Sequence, residues 1–294
     1  MKKLFTLGLL VSVLISSCEK PADDIDDPVD PEVKFEKSAK RGLSYNLTHA
    51  ADLDTLKRGV SWWYNWYVET GAPENYHEEY EMDFYPMLWG GSPSADLLDR
   101  AESTLLDHPE LEYLLVMNEP NLVDQAHRTP QQAIHDWRIY EEFVDRMADQ
   151  GHELKLVGPQ MNWGTLPGYS DPVVWLDEFF TLFEATYGRP PQLHHLGFHW
   201  YDYGLDSQLD RLSKYGKAIW VTEMANWNAN VSSYADQVEQ MTEMVAICER
   251  RDDVFRYAWF IGRGGYPDQH FTYLFGPEPG DLRELGQIYI GLPY

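Results

Sequence analysis

Short runs of apolar, β-branched and aromatic residues recur along the chain, and eight of them have the length and pattern of buried strands. Helical or loop segments separate nearly all of these runs, which predicts parallel pairing through right-handed crossovers. The predicted strands are Lys40–Asn46, Gly59–Trp66, Asp83–Trp89, Glu112–Glu119, Leu154–Gln160, His195–Tyr201, Ala218–Glu223 and Phe255–Ile261. Eight such units predict a single-domain α/β fold, the (β/α)8 TIM barrel. An open doubly wound sheet is the alternative, but no Gly-x-Gly-x-x-Gly turn follows the first strand.

Two of the intervening segments show a clear helical periodicity. In the first, Pro130–Gln150, one face carries the apolar residues Ala133, Trp137, Tyr140, Phe143, Val144 and Met147. Thr129 before this segment is a typical helix start, and Gly151 after it is a typical stop. The second helix is predicted over Tyr234–Arg251.

The amino terminus has the composition of a targeting segment. In residues 1–17, Lys2 and Lys3 precede the apolar stretch Leu4–Ile15, which is too short to span a bilayer, so this part is predicted to be a signal peptide. Ile15-Ser16-Ser17-Cys18 resembles a bacterial lipobox, and this resemblance implies cleavage before Cys18 and attachment of lipid to it. A plain secretory signal with an incidental cysteine is the alternative.

Residues 18–38 then predict a disordered tether, because the segment is acidic, contains several prolines and has too little apolar surface to fold. Residues 39–294 are the predicted folded domain. Together these segments predict a lipid-anchored protein of the bacterial cell envelope, at the outer membrane or cell surface. Membrane contact is expected through the lipid anchor only.

Charge narrows the classes of partner. The 294-residue chain carries a formal net charge of −25, which disfavours nucleic acids, anionic surfaces and polyanionic substrates and leaves neutral polymers open. Cys248 is the only cysteine beyond Cys18, so the chain has no disulfide framework and no cysteine metal cluster. His194-His195 lacks a partner at metal-ligand spacing. We therefore expect no metal, no cofactor and a monomer.

Chemistry-bearing residues collect at the carboxyl ends of the predicted strands, which is where barrels of this kind place their active sites. Glu119 ends the fourth strand and Glu223 ends the seventh. Two carboxylates are the minimum apparatus for cleaving a glycosidic bond. Aromatic rings and amides at the other strand ends suit a neutral carbohydrate, because rings pack on the C–H faces of sugars and amides bond hydroxyls.

The expected chemistry assigns the two glutamates different tasks. With carboxyl groups about 5–5.5 Å apart, one carboxylate attacks the anomeric carbon while the other protonates the leaving oxygen, and configuration is retained. We expect the negative charge of Glu223 to raise the pKa of Glu119 and keep Glu119 protonated until the attack. Once Glu223 is esterified, Glu119 becomes more acidic and serves as the base for water.

Asn118-Glu119-Pro120 and Thr222-Glu223 resemble the clan A glycoside hydrolases. This resemblance implies that Glu119 is the acid/base, that Glu223 is the nucleophile and that Asn118 bonds the sugar 2-hydroxyl. His199-Trp200-Tyr201 is similar to the His-x-Tyr of that clan, and Trp259 resembles its sugar platform.

Five short sequence segments are similar to one family of glycoside hydrolases, family 128, whose main known activity is on β-1,3-glucans. They occur in the expected order across roughly residues 39–292 and read Lys-Arg-Gly-Leu-Ser-Tyr-Asn, Val-Ser-Trp-Trp-Tyr-Asn-Trp, Tyr-Pro-Met-Leu-Trp-Gly, Arg-Tyr-Ala-Trp-Phe and Leu-Gly-Gln-Ile-Tyr. Two departures affect the shape of the cleft: Leu-Val-Met precedes Asn118 where Gly-Phe is common, and Met224-Ala225 follows Glu223 where Phe-Gly is common.

The candidate substrate-binding residues are those at the strand ends: Asn118, His199, Tyr201, Trp259, Trp63, Asn65, Trp66, Trp89 and Trp163. On the second strand, alternation puts Trp63 and Asn65 on one face and Trp62, Tyr64 and Trp66 on the other. Either face satisfies the pattern, so which one lines the cleft stays open at this point.

The resulting hypothesis is a retaining hydrolase of β-1,3-glucan, of endo type. Three alternatives share the same residues. One is a clan A activity on β-1,4-glucan or mannan, the second is an exo-enzyme that trims β-1,3-oligosaccharides, and the third is a lipoprotein that captures glycans without cutting them.

Overall fold

One parallel sheet organises the computed structural model of the protein, which describes residues 36–265 and 267–294. The predicted signal peptide, Cys18 and most of the predicted tether lie outside the described residues. The strands are β1 (Arg41–Ser44), β2 (Trp62–Tyr64), β3 (Asp83–Phe84), β4 (Met87–Leu88), β5 (Tyr113–Val116), β6 (Lys155–Met161), β7 (His195–Trp200), β8 (Ala218–Met224) and β9 (Val254–Trp259). Their order in the sheet is β3-β2-β1-β9-β8-β7-β6-β5-β4.

The third predicted strand is two strands in the structure, β3 and β4, separated only by Tyr85 and Pro86. Proline has no N–H to donate, so it interrupts the ladder. Tyr85 N donates to Trp63 O in β2 at 2.9 Å, while Leu115 N in β5 donates to Pro86 O at 3.0 Å. The two end strands of the sheet thus belong to one short stretch of chain, and the sheet is curled in a TIM-like α/β domain.

Helices connect the strands, as the alternating pattern predicted. They are α1 (Ala50–Leu56), α2 (Tyr76–Tyr80), α3 (Ala95–Asp107), α4 (Pro130–Asp149), α5 (Pro172–Tyr187), α6 (Leu205–Leu212), α7 (Tyr234–Arg250) and α8 (Glu284–Gly291). Both predicted helices, α4 and α7, are present. Thr129 and Gln132 form a capping box at the start of α4, which satisfies two of its otherwise unpaired N–H groups.

Aromatic side chains fill the amino-terminal end of the sheet. Trp220 lies edge-on to Trp62 with ring centroids 5.1 Å apart, and the rings of Tyr85 and Tyr113 lie 5.3 and 5.0 Å from it. Trp62 and Tyr113 begin their strands, Trp220 is the third residue of β8, and Tyr85 follows β3. Because that end is packed with rings, the carboxyl end is left to form a cleft.

The folded domain begins slightly before the predicted boundary at residue 39. Lys37 Nζ donates to Val60 O at 2.9 Å and to Glu81 O at 2.7 Å, and Ser38 is buried. These two residues, which the composition assigned to the tether, are therefore attached to the domain. Among the residues that the structure describes, no helix is both long enough and apolar enough to cross a membrane.

Candidate active site

Glu119 and Glu223 meet at the carboxyl end of the sheet, although each belongs to a different part of it. Glu119 follows β5, and Glu223 lies near the end of β8. One carboxylate oxygen of each, together with Nδ1 of His199, lie within 4.8 Å of one another. Both side chains are buried at the bottom of a cleft of about 870 Å³. The strands therefore bring together the two carboxylates that the sequence singled out.

Neutral donors surround the carboxylate of Glu223. Tyr64 Oη donates to Oε1 at 2.7 Å, Trp66 Nε1 donates to the same oxygen at 2.8 Å, and Tyr201 Oη donates to Oε2. Such bonds hold a carboxylate in one orientation and stabilise its charge. Glu223 is thus held in one orientation in the cleft.

Glu119 has fewer donors, and they converge on one oxygen. Asn162 Nδ2 donates to Oε1 at 2.8 Å, and His199 Nδ1 lies 2.9 Å from that same oxygen. No side chain of the described residues is hydrogen-bonded to Oε2. That oxygen is therefore the one available to exchange a proton with a bound molecule.

The backbone that presents Glu119 is strained. Met117 has φ of 55° and Glu119 has φ of 44°, which is the left-handed region that side chains with a Cβ rarely occupy. Glu119 N donates to Gln160 O at 2.8 Å and fixes the turn to β6. Conformations of this kind cluster at functional sites, where the surrounding structure enforces them.

Gly197 makes room for the residue that braces this turn. A Cβ at position 197 would lie 1.9 Å from Gln160 Oε1, so any larger residue would displace the Gln160 side chain. That oxygen accepts a bond of 2.6 Å from Thr222 Oγ1, next to Glu223. Through Gln160 the backbone of Glu119 is linked to the strand that carries the second glutamate.

His199 lies between the two carboxylates and is itself fully buried. Its Nδ1 is 2.9 Å from Glu119 Oε1 and 3.5 Å from Glu223 Oε2. Burial lowers the pKa of His199, but the charge of Glu223 and the bond to Glu119 raise it further, so the net direction is upward. The imidazole therefore carries a proton more readily than a free histidine does.

The protonation state of Glu119 differs from the expectation. Burial raises the pKa of Glu119, but the hydrogen bond and charge of His199 and the bond from Asn162 lower it more, so its pKa lies below the ordinary value. The expectation that Glu223 keeps Glu119 protonated in the resting site is therefore wrong. Both directions favour the proton on His199 over the proton on Glu119, and the two groups act as a pair.

Two carboxylates and one imidazole are also a donor set that metal ions use. In this site the hydrogen bonds from Tyr64, Trp66, Tyr201 and Asn162 already occupy three of the four carboxylate oxygens, all except Glu119 Oε2. The arrangement suits a hydrogen-bonded acid–base pair better than a cation. The expectation of no metal and no cofactor stays a prediction.

Five predicted substrate-binding residues line the cleft: Asn118, Trp66, Trp89, Trp163 and Tyr201. Trp163 is 42% exposed and presents a ring to any ligand. Asn118 Nδ2 donates to Gln125 Oε1 at 3.3 Å, and Asn118 Oδ1 is buried with no hydrogen-bond partner among the described residues. A buried amide oxygen without a donor suits a ligand hydroxyl.

Four predicted residues do not line the cleft, and their expected contact with substrate is corrected. Trp63 points away from it and packs against Tyr76 of α2, with ring centroids 4.9 Å apart. Trp259 is fully buried, and its Nε1 donates to Thr272 O at 2.9 Å. Asn65 and His199 are buried as well.

Asn65 and His199 have contacts of another kind. Asn65 Nδ2 donates to Asn46 Oδ1 and to Glu69 O, both at 2.9 Å, and holds the loop after β2. His199 contacts the glutamates in place of the substrate. The face of β2 that the alternation left open is settled as well, because Tyr64 and Trp66 reach Glu223 and Trp63 does not.

Four cleft residues were missed. Tyr64 and Asn162 contact the glutamates, while Trp227 and Phe260 line the wall near Glu223. Alternation on β2 placed Tyr64 with Trp66, which was a usable signal, and Asn162 lies two residues beyond Gln160, where a strand end was predicted. Trp227 lies in a loop, where periodicity gives no direction.

Known proteins match the chain closely. Residues 42–289 match the family model described as glycosyl hydrolase catalytic core. The crystal structure of an endo-β-1,3-glucanase of glycoside hydrolase family 128, subgroup II, from Pseudomonas viridiflava is 49% identical with a TM-score of 0.81, and the match covers 88% of this chain and 100% of that one.

Two more distant relatives extend the comparison. A subgroup I endo-β-1,3-glucanase of the same family from Amycolatopsis mediterranei, solved with laminaritriose, is 25% identical with a TM-score of 0.65, over 86% of this chain and 99% of that one. Alkali-sensitive linkage protein 1 of Schizosaccharomyces pombe is 24% identical over 275 residues. That match covers 86% of this chain but 44% of the yeast protein, so the chain spans less than half the length of this curated relative.

Proposed function

The chain belongs to the glycosyl hydrolase catalytic core family and to glycoside hydrolase family 128, and from this premise we propose that it cleaves β-1,3-glucan internally, with retention of configuration. It is a glycoside hydrolase. The proposed linkage and endo action draw support from the β-1,3-glucanases it resembles, one of them at 49% identity. The proposed architecture is the closed (β/α)8 barrel, supported by the short stretch that pairs with both β2 and β5.

The observation that carries the mechanism is the spacing of Glu119 and Glu223, whose nearest oxygens lie within 4.8 Å. Retaining glycosidases hold their carboxyl groups about 5–5.5 Å apart, whereas inverting enzymes leave room for a water between them, about 6.5–9.5 Å. The spacing in this site supports direct attack by a carboxylate.

The hydrogen-bond donors around each carboxylate support different roles for the two glutamates. Glu223, held by Tyr64, Trp66 and Tyr201, attacks the anomeric carbon, and the bond to the leaving oxygen breaks as Glu119 gives that oxygen a proton. Binding of a sugar displaces water from the cleft, which favours the neutral form of the pair, with the proton on Glu119 and His199 uncharged. Water then attacks the anomeric carbon of the ester, Glu119 takes its proton, and the Glu223 carboxylate is released.

The test is incubation of the purified protein with linear β-1,3-glucan, β-1,4-glucan, β-1,4-mannan and mixed-linkage glucan, with products followed over time. We expect release from β-1,3-glucan, with a ladder of oligosaccharides early in the reaction. Proton NMR of the first products should show the β-anomer. Binding without release from all four polymers, or release of the α-anomer first, would contradict the proposal.

We also propose that Cys18 carries lipid, which the lipobox-like sequence before it supports. Expression with a labelled fatty acid should label the wild type and not a Cys18→Ser variant. Equal labelling of both proteins would contradict this.

A further inference from the structure

A second, smaller pocket opens beside the cleft. Its volume is about 280 Å³, and we call it the side pocket. Its walls are formed by Trp66, Tyr67, Val68, Met87, Trp89, Leu97 and Arg100. Trp66, Tyr67 and Trp89 also line the cleft, so the two spaces share a wall.

The shared wall is held by the same contacts that hold the nucleophile. Trp66 Nε1 donates to Glu223 Oε1 at 2.8 Å, and Trp66 has φ of 67°. Met87 N donates to Tyr67 O at 2.9 Å, which joins the loop after β2 to β4. The side pocket is therefore a fixed part of the active-site architecture.

The side pocket is lined by apolar side chains inside and has an ion pair at its mouth. Val68 and Met87 are almost fully buried and close the floor, and Leu97 of α3 forms the side. At the rim, Arg100 Nη2 donates to Glu69 Oε2 at 2.5 Å. A pyranose ring offers matching surfaces, because its C–H faces pack on indole and aliphatic groups while its hydroxyls bond ionic groups.

We propose that the side pocket receives a single hexosyl branch carried by the main chain of a glucan bound in the cleft. The inference rests on the proposed function, since it requires a glucan across Glu119 and Glu223. The volume lies just below the range of whole ligand sites, about 300–1,000 Å³, and suits one ring. A main chain would have to continue past that ring, and a volume of about 280 Å³ leaves no room for further rings.

The experiment compares kcat/KM on linear β-1,3-glucan with kcat/KM on a β-1,3-glucan that bears single glucosyl branches on 6-hydroxyls. Leu97→Trp places a larger side chain in the pocket and should lower the branched-to-linear ratio about tenfold or more, the scale on which hydrophobic pockets discriminate by shape. Leu97→Phe should lower it by less. Leu106→Trp makes the same change at an exposed position of α3 and should leave the ratio unaltered.

An unchanged ratio in Leu97→Trp would overturn the inference, as would no turnover of the branched polymer by the wild type. An equal loss on both substrates would overturn it too, since it would make the pocket a site for the main chain or a structural part of the cleft. Failure of the proposed function has another signature: the wild type would then release nothing from linear β-1,3-glucan.

Discussion

Two buried glutamates in this protein, Glu141 and Glu223, have their negative charges stabilised by different kinds of hydrogen-bond donor. Glu141 of α4 is fully buried and lies between two guanidinium groups: Arg138 Nη1 at 2.5 Å and Arg189 Nη2 at 2.6 Å both reach its Oε2. Gln192 N donates to Oε1 at 2.6 Å. Glu223 is almost as buried, yet its partners are two phenols, one indole and the edge of His199.

The difference shows which buried acids are structural and which are available for chemistry. Burial raises the pKa of Glu141, but the bonds and charge of its arginines and the Gln192 N–H lower it below the ordinary value. Its charge is fully compensated within the protein. Phenol and indole donors make the hydrogen bonds to Glu223, and the nearest ionisable nitrogen, His199 Nδ1, lies 3.5 Å from Oε2. The charge of Glu223 is therefore less fully compensated than that of Glu141 and can act on a substrate.

The largest expected effect comes from Glu223→Gln, which removes the attacking group and keeps its size. We expect kcat on β-1,3-glucan to fall by roughly 10⁴-fold or more, the scale seen when an enzymatic nucleophile is removed. Affinity for the polymer should survive, because the cleft wall is unchanged. Steady-state kinetics and a binding isotherm check both; near-full activity would remove Glu223 from the mechanism.

Glu141→Gln should do the reverse of Glu223→Gln: it should lower the stability of the protein and leave its activity nearly unchanged. We expect a loss of about 2 kcal/mol in the free energy of unfolding, less than the 3–5 kcal/mol typical of broken buried pairs, because both arginines are partly exposed and can be solvated. Activity per folded molecule should stay within about twofold of wild type because Glu141 lies outside the cleft. Chemical denaturation and kinetics measure the two quantities.

The pH dependence of the free energy of unfolding gives a second test of the role of Glu141. The pKa of Glu141 is depressed below 4.5 in the folded protein, so its stabilisation is complete above about pH 4.5 and is lost as pH falls through the folded value. The stability difference between wild type and Glu141→Gln should therefore shrink in acid. A difference that grows below pH 4.5 would contradict the assignment.

A smaller effect tests the neutral donors themselves. Tyr201→Phe deletes the hydroxyl that bonds Glu223 Oε2 and leaves the ring. Hydrogen bonds to charged groups contribute about 1.5–3 kcal/mol, so we expect kcat/KM to fall roughly 10- to 100-fold, mostly in kcat. Trp163→Phe, at an exposed ring that also lines the cleft, is the comparison and should act mainly on KM.

Much of this architecture was predictable because local pattern and global topology agree. The eight predicted strands occur at the expected places, with Glu119 three residues after the end of β5 and Glu223 next to the last residue of β8. The exception is the third strand, where Pro86 cannot donate and the ladder divides into β3 and β4. This division of the strand could have been predicted from the sequence, because a proline cannot donate a hydrogen bond to the neighbouring strand.

The errors have a common physical origin. A strand end was identified correctly, but the direction of a side chain there depends on strand register and on local bulges. Trp259 and Trp63 were placed in the cleft, whereas Phe260 lines it and Tyr64 contacts Glu223, each one residue away. The pairing of β7 with β8 shifts register between Phe198 and His199, and no pattern in the sequence indicates that shift.

The predicted direction of the shift in the pKa of Glu119 was wrong for a related reason. Sequence indicated that the two glutamates are neighbours, but it did not place His199 Nδ1 between them. That imidazole reverses the direction of the shift in the pKa of Glu119.

The central claim, that Glu223 forms a covalent bond to the sugar, has a direct test. The protein is incubated with a 2-deoxy-2-fluoro-β-laminaribiosyl fluoride, whose fluorine slows hydrolysis of a glycosyl-enzyme, and the labelled peptide is then identified by mass spectrometry. We predict one adduct per chain, on Glu223, and none in Glu223→Gln. An adduct on Glu119, or turnover without any adduct, would contradict the account.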